Sequence, residues 1–291
     1  MRIAKWRTYG IAYLFLAPSL AGLAVFTLYP IVFSFYLSFV KWDGLTPMSF
    51  VGLSNYKALW TDETFRISLS NNLYYTFVTV PVTIALSVLL ALLMNYKVRG
   101  IKGFRVLYFF PNITASLAIG IIWAAMFTQY GPINTILRFF GYADPPGWLA
   151  STTFALPAIM LVSIWKGVGY NAVILFAGLQ GVPRHLYEAA ELDGANRFQQ
   201  FLYVTLPGLS PVIFFCAVMG VIGSFQVFDT VMAMTQGGPG RSTNVLVYHI
   251  YQTAFQNYNF GYASAMSYIL FVIVLAVTLV QWKMQKRWVT Y

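Results

Sequence analysis

The sequence predicts an all-α, polytopic membrane protein with six transmembrane helices. Three observations carry this reading. Of 291 residues, 59% are hydrophobic and only 9% are charged, whereas charged residues make up about a quarter of a soluble domain. The mean hydropathy is +0.67. The apolar residues come in long runs, not in the short alternating segments of a membrane β-barrel. A soluble globule, a disordered chain and a coiled coil are thereby excluded. The single cysteine, Cys216, excludes a disulfide framework and a cysteine-based metal cluster.

A bilayer core takes about 20 apolar residues of helix. Residues 8–40, 67–96 and 106–137 contain no Lys, Arg, Asp or Glu and supply the first three spans. The fourth covers about 154–180 and is interrupted by Lys166; the fifth covers about 207–234, with Asp229 near its end; the sixth covers about 259–282. The connections are short and leave no room for a separate soluble domain. The chain divides into an N-terminal segment, 1–66, with the first span and an outer loop, and a five-helix core, 67–291, with a distinctive loop at 181–207. The basic start (Arg2, Lys5, Arg7) resembles that of a signal peptide. The apolar stretch behind it is longer than the roughly 7–15 residues of such a peptide, so it is read as a retained span.

Lys and Arg set the orientation. With six spans, both termini share a side with the second and fourth loops. That side receives Arg2, Lys5, Arg7, Lys97, Arg99, Lys102, Arg105, Arg184, Arg197, Lys283, Lys286 and Arg287. The other side receives only Lys41, Lys57, Arg66, Arg138 and Arg241. Twelve against five puts both termini in the cytoplasm. The net charge of +10 is therefore topological and needs no nucleic acid to explain it. Trp6, Tyr9, Trp42, Tyr108, Phe109, Phe110, Trp282 and Trp288 cluster near span ends, as an interfacial aromatic belt does.

The loop between spans four and five is unlike a connector. It holds Glu188, Glu191 and Asp193, three of the eight acids in the chain. Pro183 suits the first turn of a helix, Arg184 to Asp193 are good helix formers, and Gly194 suits the residue that ends it. A second short helix follows, with Asn196 as N-cap. Phe198, Phe201 and Leu202 form its apolar face, and Pro207 opens span five. A helix resting on anionic headgroups explains the apolar face but not the acids. An exposed helix of mixed charge with the small pair Ala189-Ala190 fits a protein docking surface.

Here the sequence resembles the permeases of binding-protein-dependent ABC importers. Glu188-Ala189-Ala190, three residues, Gly194, nine residues, Val204, Thr205, Leu206, Pro207 matches their EAA loop, with Val204 for Ile as the departure. Trp42-Asp43-Gly44, Ala177-Gly178-Leu179-Gln180, Leu192-Asp193-Gly194-Ala195, Gly237-Gly238-Pro239 and Phe260-Gly261-Tyr262-Ala263-Ser264-Ala265 resemble the carbohydrate branch, the maltose- and glycerol-phosphate-type subunits. The resemblance covers nearly the whole chain and is to the first of the two permeases. It implies a type I importer fold in a bacterial or archaeal plasma membrane. It also implies that Glu188, Ala189, Ala190, Asp193 and Gly194 contact an ATPase dimer, with Gly194 supplying the bend. The implied partners are that ATPase, a second homologous permease and an extracytoplasmic sugar-binding protein. The chain contains no G-x-x-x-x-G-K-[ST], so no cofactor is expected on it, and ATP and Mg belong to the ATPase.

Polar groups within spans usually face a bundle interior or a cavity. Ser163, Gly167 and Tyr170 share a face of span four, and Gly220, Ser224 and Val227 share one of span five, with Gln226 beside them. Asn112, Thr114 and Ser116 lie beside Pro111 in span three. The substrate-pathway candidates are Ser163, Gly167, Tyr170, Gly220, Ser224 and Gln226. Interhelical packing by Gly and Ser is the alternative reading of each. Lys166 fits either the pathway or a side chain snorkelling to the interface. His185 and His249 are far apart, so no metal site is expected, and no catalytic motif is present. A membrane enzyme would need a convergent catalytic constellation, and a self-sufficient secondary carrier mid-membrane acids and internal repeats. Only Asp229 approaches the latter. The nature of the sugar is not legible in the sequence.

Overall fold

The computed structural model describes residues 2–95 and 101–288, without the side chains of residues 2–12, 101–102, 104–105 and 287–288. Lys97 and Arg99 of the orientation argument lie outside the described residues. So do the side chains of Arg2, Lys5, Trp6, Arg7, Tyr9, Lys102, Arg105, Arg287 and Trp288.

Among the described residues, five helices are long and apolar enough to cross a bilayer: Tyr13–Leu37, Glu63–Asn95, Ala155–Gln180, Arg197–Phe225 and Phe260–Lys286. Two further pieces, Val106–Ile113 and Ser116–Met126, pass the same test only together and meet at 106°, which brings the spans to six when the pair is counted as one. The third span, expected as one continuous run, is therefore a broken one. Pro111 lies inside the first piece and has no N–H to give the ladder. Three residues later the Thr114 hydroxyl donates to the Phe110 carbonyl at 3.2 Å, a competitor for the helical bond. Ala115 is extended, with φ −55° and ψ 130°, and the chain turns.

The fifth span differs too. The short helix expected after Gly194 and the span expected from Pro207 are one helical run from Arg197 to Phe225. A π-turn at Phe201–Thr205 precedes Pro207, and the Leu206 N–H donates to Phe201 O. The widened turn gives the proline ring room without breaking the rod. Ala24–Leu28 is the same device just before Pro30 in the first span. The run stops at Phe225, and a separate short helix covers Asp229–Met234. Val227 therefore lies beyond the helix on which it was expected to share a face.

Packing divides the chain into two units that are discontinuous in sequence. One runs to Thr61 and takes back Ile250–Ile269; the other runs from Asp62 to His249 and resumes at Leu270. In the first unit, Val40–Lys41 pairs antiparallel with Ser49–Phe50. The Asp43 carboxylate accepts from Leu45 N at 2.9 Å, Thr46 N at 2.7 Å and Thr46 Oγ1 at 2.8 Å. These bonds, the Thr46 amide foremost, hold its pKa down at about 2. Gly44 turns the chain at φ +87° beneath the Phe260 ring, and the Phe260 N–H donates to the Trp42 carbonyl at 3.0 Å. At Gly261 a Cβ would collide with the Val40 carbonyl oxygen. The Trp42-Asp43-Gly44 and Phe260-Gly261 motifs are thus two halves of one contact.

The second unit centres on the second and fourth spans. The Ser87 hydroxyl donates across to the Val168 carbonyl at 3.1 Å, and Val88, Ala91, Leu175, Leu179, Leu209 and Cys216 form a buried cluster with the fifth span. Asn72, fully buried, donates to the Ser224 carbonyl and accepts from the Leu246 amide, both at 3.1 Å. At the same end, His249 lies 3.6 Å from Asp62, and Arg241 lies 3.7 Å from Glu63. Burial pushes the His249 pKa below its ordinary value of 6.5, against the pull of Asp62.

Two outcomes are expected. Gly261→Ala overpacks a backbone contact and should cost roughly 1–3 kcal/mol, seen as a lowered unfolding midpoint in detergent. For His249 the unfolded chain holds its proton more tightly than the folded one. Its contribution is therefore complete above the ordinary pKa and is lost as pH falls below it. The unfolding midpoint should drop between pH 7.5 and 5.5, and His249→Gln should flatten that slope.

Candidate functional site

A cavity of about 400 Å³ opens within the second unit. The second span contributes Tyr75, Thr79 and Thr83, spaced four residues apart and so stacked on one helix face. The broken span contributes Asn112 and Ser116, one on each side of its bend. Ser163, Lys166, Gly167 and Asn171 come from the fourth span; Gly220 and Ser224 come from the fifth; Gln226, Asp229 and Thr230 come from the segment after it. Glycine leaves part of this space open. A Cβ at Gly167 would sit 3.2 Å from Thr83 Cγ2, and one at Gly220 would sit 3.2 Å from Val80 Cγ1.

The wall is tied by hydrogen bonds. The Ser224 hydroxyl donates to Thr76 Oγ1 at 2.9 Å and to Val221 O at 2.8 Å. Asn171 Nδ2 donates to Gly167 O at 3.0 Å. Tyr75, buried, lies on the wall with Ser163. The Lys166 ammonium donates to Ser116 Oγ and feels the Asp229 carboxylate. These two opposite charges are the charged groups of an otherwise neutral lining of hydroxyls and amides. Such a surface can bind an uncharged, hydroxyl-rich solute through many neutral hydrogen bonds.

Five of the six pathway candidates line this cavity: Ser163, Gly167, Gly220, Ser224 and Gln226. Tyr170 does not; its side chain is 46% exposed, and Asn171 takes the lining position beside it. Gln226 lines it from the residue that caps the helix, not from the helix face. Lys166 is on the wall. Tyr75, Thr79 and Thr83 were missed, although their i, i+4, i+8 repeat in an apolar run was the signal that could have found them.

The loop between spans four and five is a built structure. Its helix is Arg184–Leu192, with Pro183 at the N-cap, one position before its expected place. Gly194 has φ +79°. The Gly194 amide donates to Glu191 O at 3.0 Å, and the Ala195 amide donates to Ala190 O at 2.9 Å, the paired bonds of a Schellman end. Asn196 and Gln199 then form a reciprocal capping box, at 2.8 and 2.9 Å. The Tyr187 and Thr205 hydroxyls are 3.0 Å apart and tie the loop helix to the fifth span. Glu188, Ala189, Asp193 and Gly194 are exposed, Ala190 is half-buried, and Leu192 is 90% exposed.

The family described as "Binding-protein-dependent transport system inner membrane component" matches residues 69–288. The lactose transport system permease protein LacF of Rhizobium radiobacter is 35% identical over 92% of this chain and 92% of that protein. The sn-glycerol-3-phosphate transport system permease protein UgpA of Agrobacterium fabrum is 34% identical over 97% and 96%. Among solved structures, a bacterial ABC transporter involved in the import of the acidic polysaccharide alginate shares the fold, with a TM-score of 0.86 at 22% identity and 99% coverage of both chains. The chain belongs to the family of binding-protein-dependent transport system inner membrane components. It is a multi-pass ABC transporter permease, not an enzyme.

Lys166 and Asp229 should behave as a coupled pair. Lys166→Met leaves Asp229 uncompensated within the membrane, and Asp229→Asn does the converse. The double variant should recover part of the loss, with a coupling of about 1 kcal/mol or more by unfolding in detergent. Simple additivity would show that the charges do not sense each other.

Proposed function

We propose that this chain is one of the two permease halves of an ATP-driven sugar importer, with both termini in the cytoplasm. One observation carries the reading furthest. The helix Arg197–Phe225 begins at the exposed loop and ends at the cavity, so one rod joins a docking surface to a solute site. Glu188, Ala189, Ala190, Asp193 and Gly194 take the ATPase, with Gly194 making the bend. ATP and Mg are held by that ATPase, and this chain holds no cofactor. A second homologous permease completes the pathway, and an extracytoplasmic sugar-binding protein delivers the solute.

The substrate assignment rests on two supports. Relatives are named for lactose, arabinooligosaccharides and starch degradation products, at 31–36% identity. The cavity also offers the hydroxyl and amide chemistry that sugar hydroxyls need. Ser163, Gly167, Gly220, Ser224 and Gln226, joined by Tyr75 and Asn171, face the sugar. Closure at one membrane face and opening at the other moves it through.

The test is reconstitution with the ATPase, second permease and binding protein encoded alongside it. Gly194→Val forces a β-branched residue to φ +79°, where such residues are outliers, and should cut ATPase-driven sugar uptake at least tenfold. Deleting residues 184–197 should abolish ATPase co-purification while the spans still insert. Intact ATPase binding by the deletion variant would sink the coupling assignment.

A further inference from the structure

A second cavity, of about 430 Å³, lies between the second, fourth and fifth spans and the loop helix. Asn95 is the last described residue of the second-span helix, Leu179 is one residue from the end of the fourth, and Arg197 begins the fifth. Gln180 Nε2 donates to Asn95 Oδ1 at 3.2 Å and holds two of these spans together. A cavity where crossing helices end is level with the lipid headgroups. Its lining has two characters. Leu92, Leu179 and Phe201 give an apolar wall; Asn95 and Arg197 give donors, and so does Gln200, whose amide also donates to Ala195 O at 3.2 Å.

Arg197 is the informative residue. Glu191 and Asp193 lie within six positions of it in sequence. Among the described residues, the ion pairs are Arg241–Glu63 and His249–Asp62, and the Arg197 guanidinium has neither an ion-pair nor a hydrogen-bond partner. No carboxylate lines the cavity among the described residues. A guanidinium carries five donors in a fork that fits phosphate oxygens. Here it stands beside two side-chain amides and the apolar wall.

We infer that this cavity is a binding site for an anionic glycerophospholipid. Its phosphate sits on Arg197 with Asn95 and Gln200, and its acyl chains lie along Leu92, Leu179 and Phe201. The apolar wall selects a lipid over a soluble phosphate. The bound lipid touches Tyr187 of the loop helix and the start of the fifth-span helix together, so it stiffens the joint between them. This inference goes beyond the transport reading and is independent of which solute is carried.

The test uses the full chain in nanodiscs of phosphatidylcholine with and without phosphatidylglycerol, followed by native mass spectrometry after mild release. The wild-type chain is expected to retain phosphatidylglycerol over phosphatidylcholine. Arg197→Gln should lower that retention about tenfold, the scale of one lost charge-assisted contact. Arg197→Lys, which keeps the charge, should restore most of it, and Arg138→Gln, away from the cavity, should change nothing. Equal unfolding midpoints for the variants separate lost binding from lost fold. Equal retention of the two lipids, unchanged retention by Arg197→Gln, or displacement by millimolar inorganic phosphate alone would overturn the assignment. None of these readouts involves the ATPase or a sugar, so failure here and failure of the importer reading are distinguishable.

Discussion

A backbone carbonyl or amide released from a helix inside a bilayer has no water to turn to. That constraint organises the second unit. At the bend of the third span, the Phe110 carbonyl is taken by the Thr114 hydroxyl and the Ser116 hydroxyl is held by Lys166. At the end of the fifth, the Ser224 carbonyl is taken by Asn72 and the Gly223 carbonyl by the Gln226 amide. Each break thus brings polar side chains to mid-chain positions of otherwise apolar spans. The cavity forms at these breaks because the groups that stabilise an interrupted helix are the groups that can bond a polar solute.

Close approach is the second constraint. Lipid chains are as apolar as leucine, so helices in a bilayer associate through tight packing and polar links, not through hydrophobic burial. Gly169 rests on the Tyr108 carbonyl, and Gly120 would bring a Cβ within 2.6 Å of Ala233. The first contact locks the first piece of the broken span to the fourth span. The second locks its other piece to the short helix Asp229–Met234. The two walls that meet at the bend are therefore fixed independently, each by a glycine that no other residue replaces without displacement.

The apolar helices were legible because length and freedom from charge are sufficient marks of a crossing. The loop was legible for a different reason. Its pieces (Gly194, Asn196 with Gln199, the exposed acids) obey local rules of helix ends that hold without tertiary context. What escaped was set by geometry between residues. The bend after Pro111 depends on which carbonyl a threonine hydroxyl takes, and charge-free composition hides it. Continuity across Pro207 depends on a π-turn, which has no composition of its own. Tyr170 and Asn171 differ by one position, about 100° around a helix, and only packing decides which of them turns inward. The polar stripe of the second span was in view, yet it was read as membrane helix and nothing more.

The uninterrupted passage from Asn196 to Phe225 has a mechanical consequence. A helix is stiff along its axis and rises about 1.5 Å per residue, so this one reaches about 40 Å. One end is clasped by a capping box and by the Tyr187–Thr205 pair; the other carries Gly220 and Ser224 on the cavity wall. A displacement imposed at the clasp arrives at the wall as a displacement, with little absorbed on the way. The wide turn at Phe201–Thr205 is a softer link, and Pro211 withholds one more bond from the ladder. The turn lies close to the clasp and far from the wall, where a small change of angle becomes a long arc at the far end. The proline that looked like a boundary in the sequence thus marks the fulcrum of a lever.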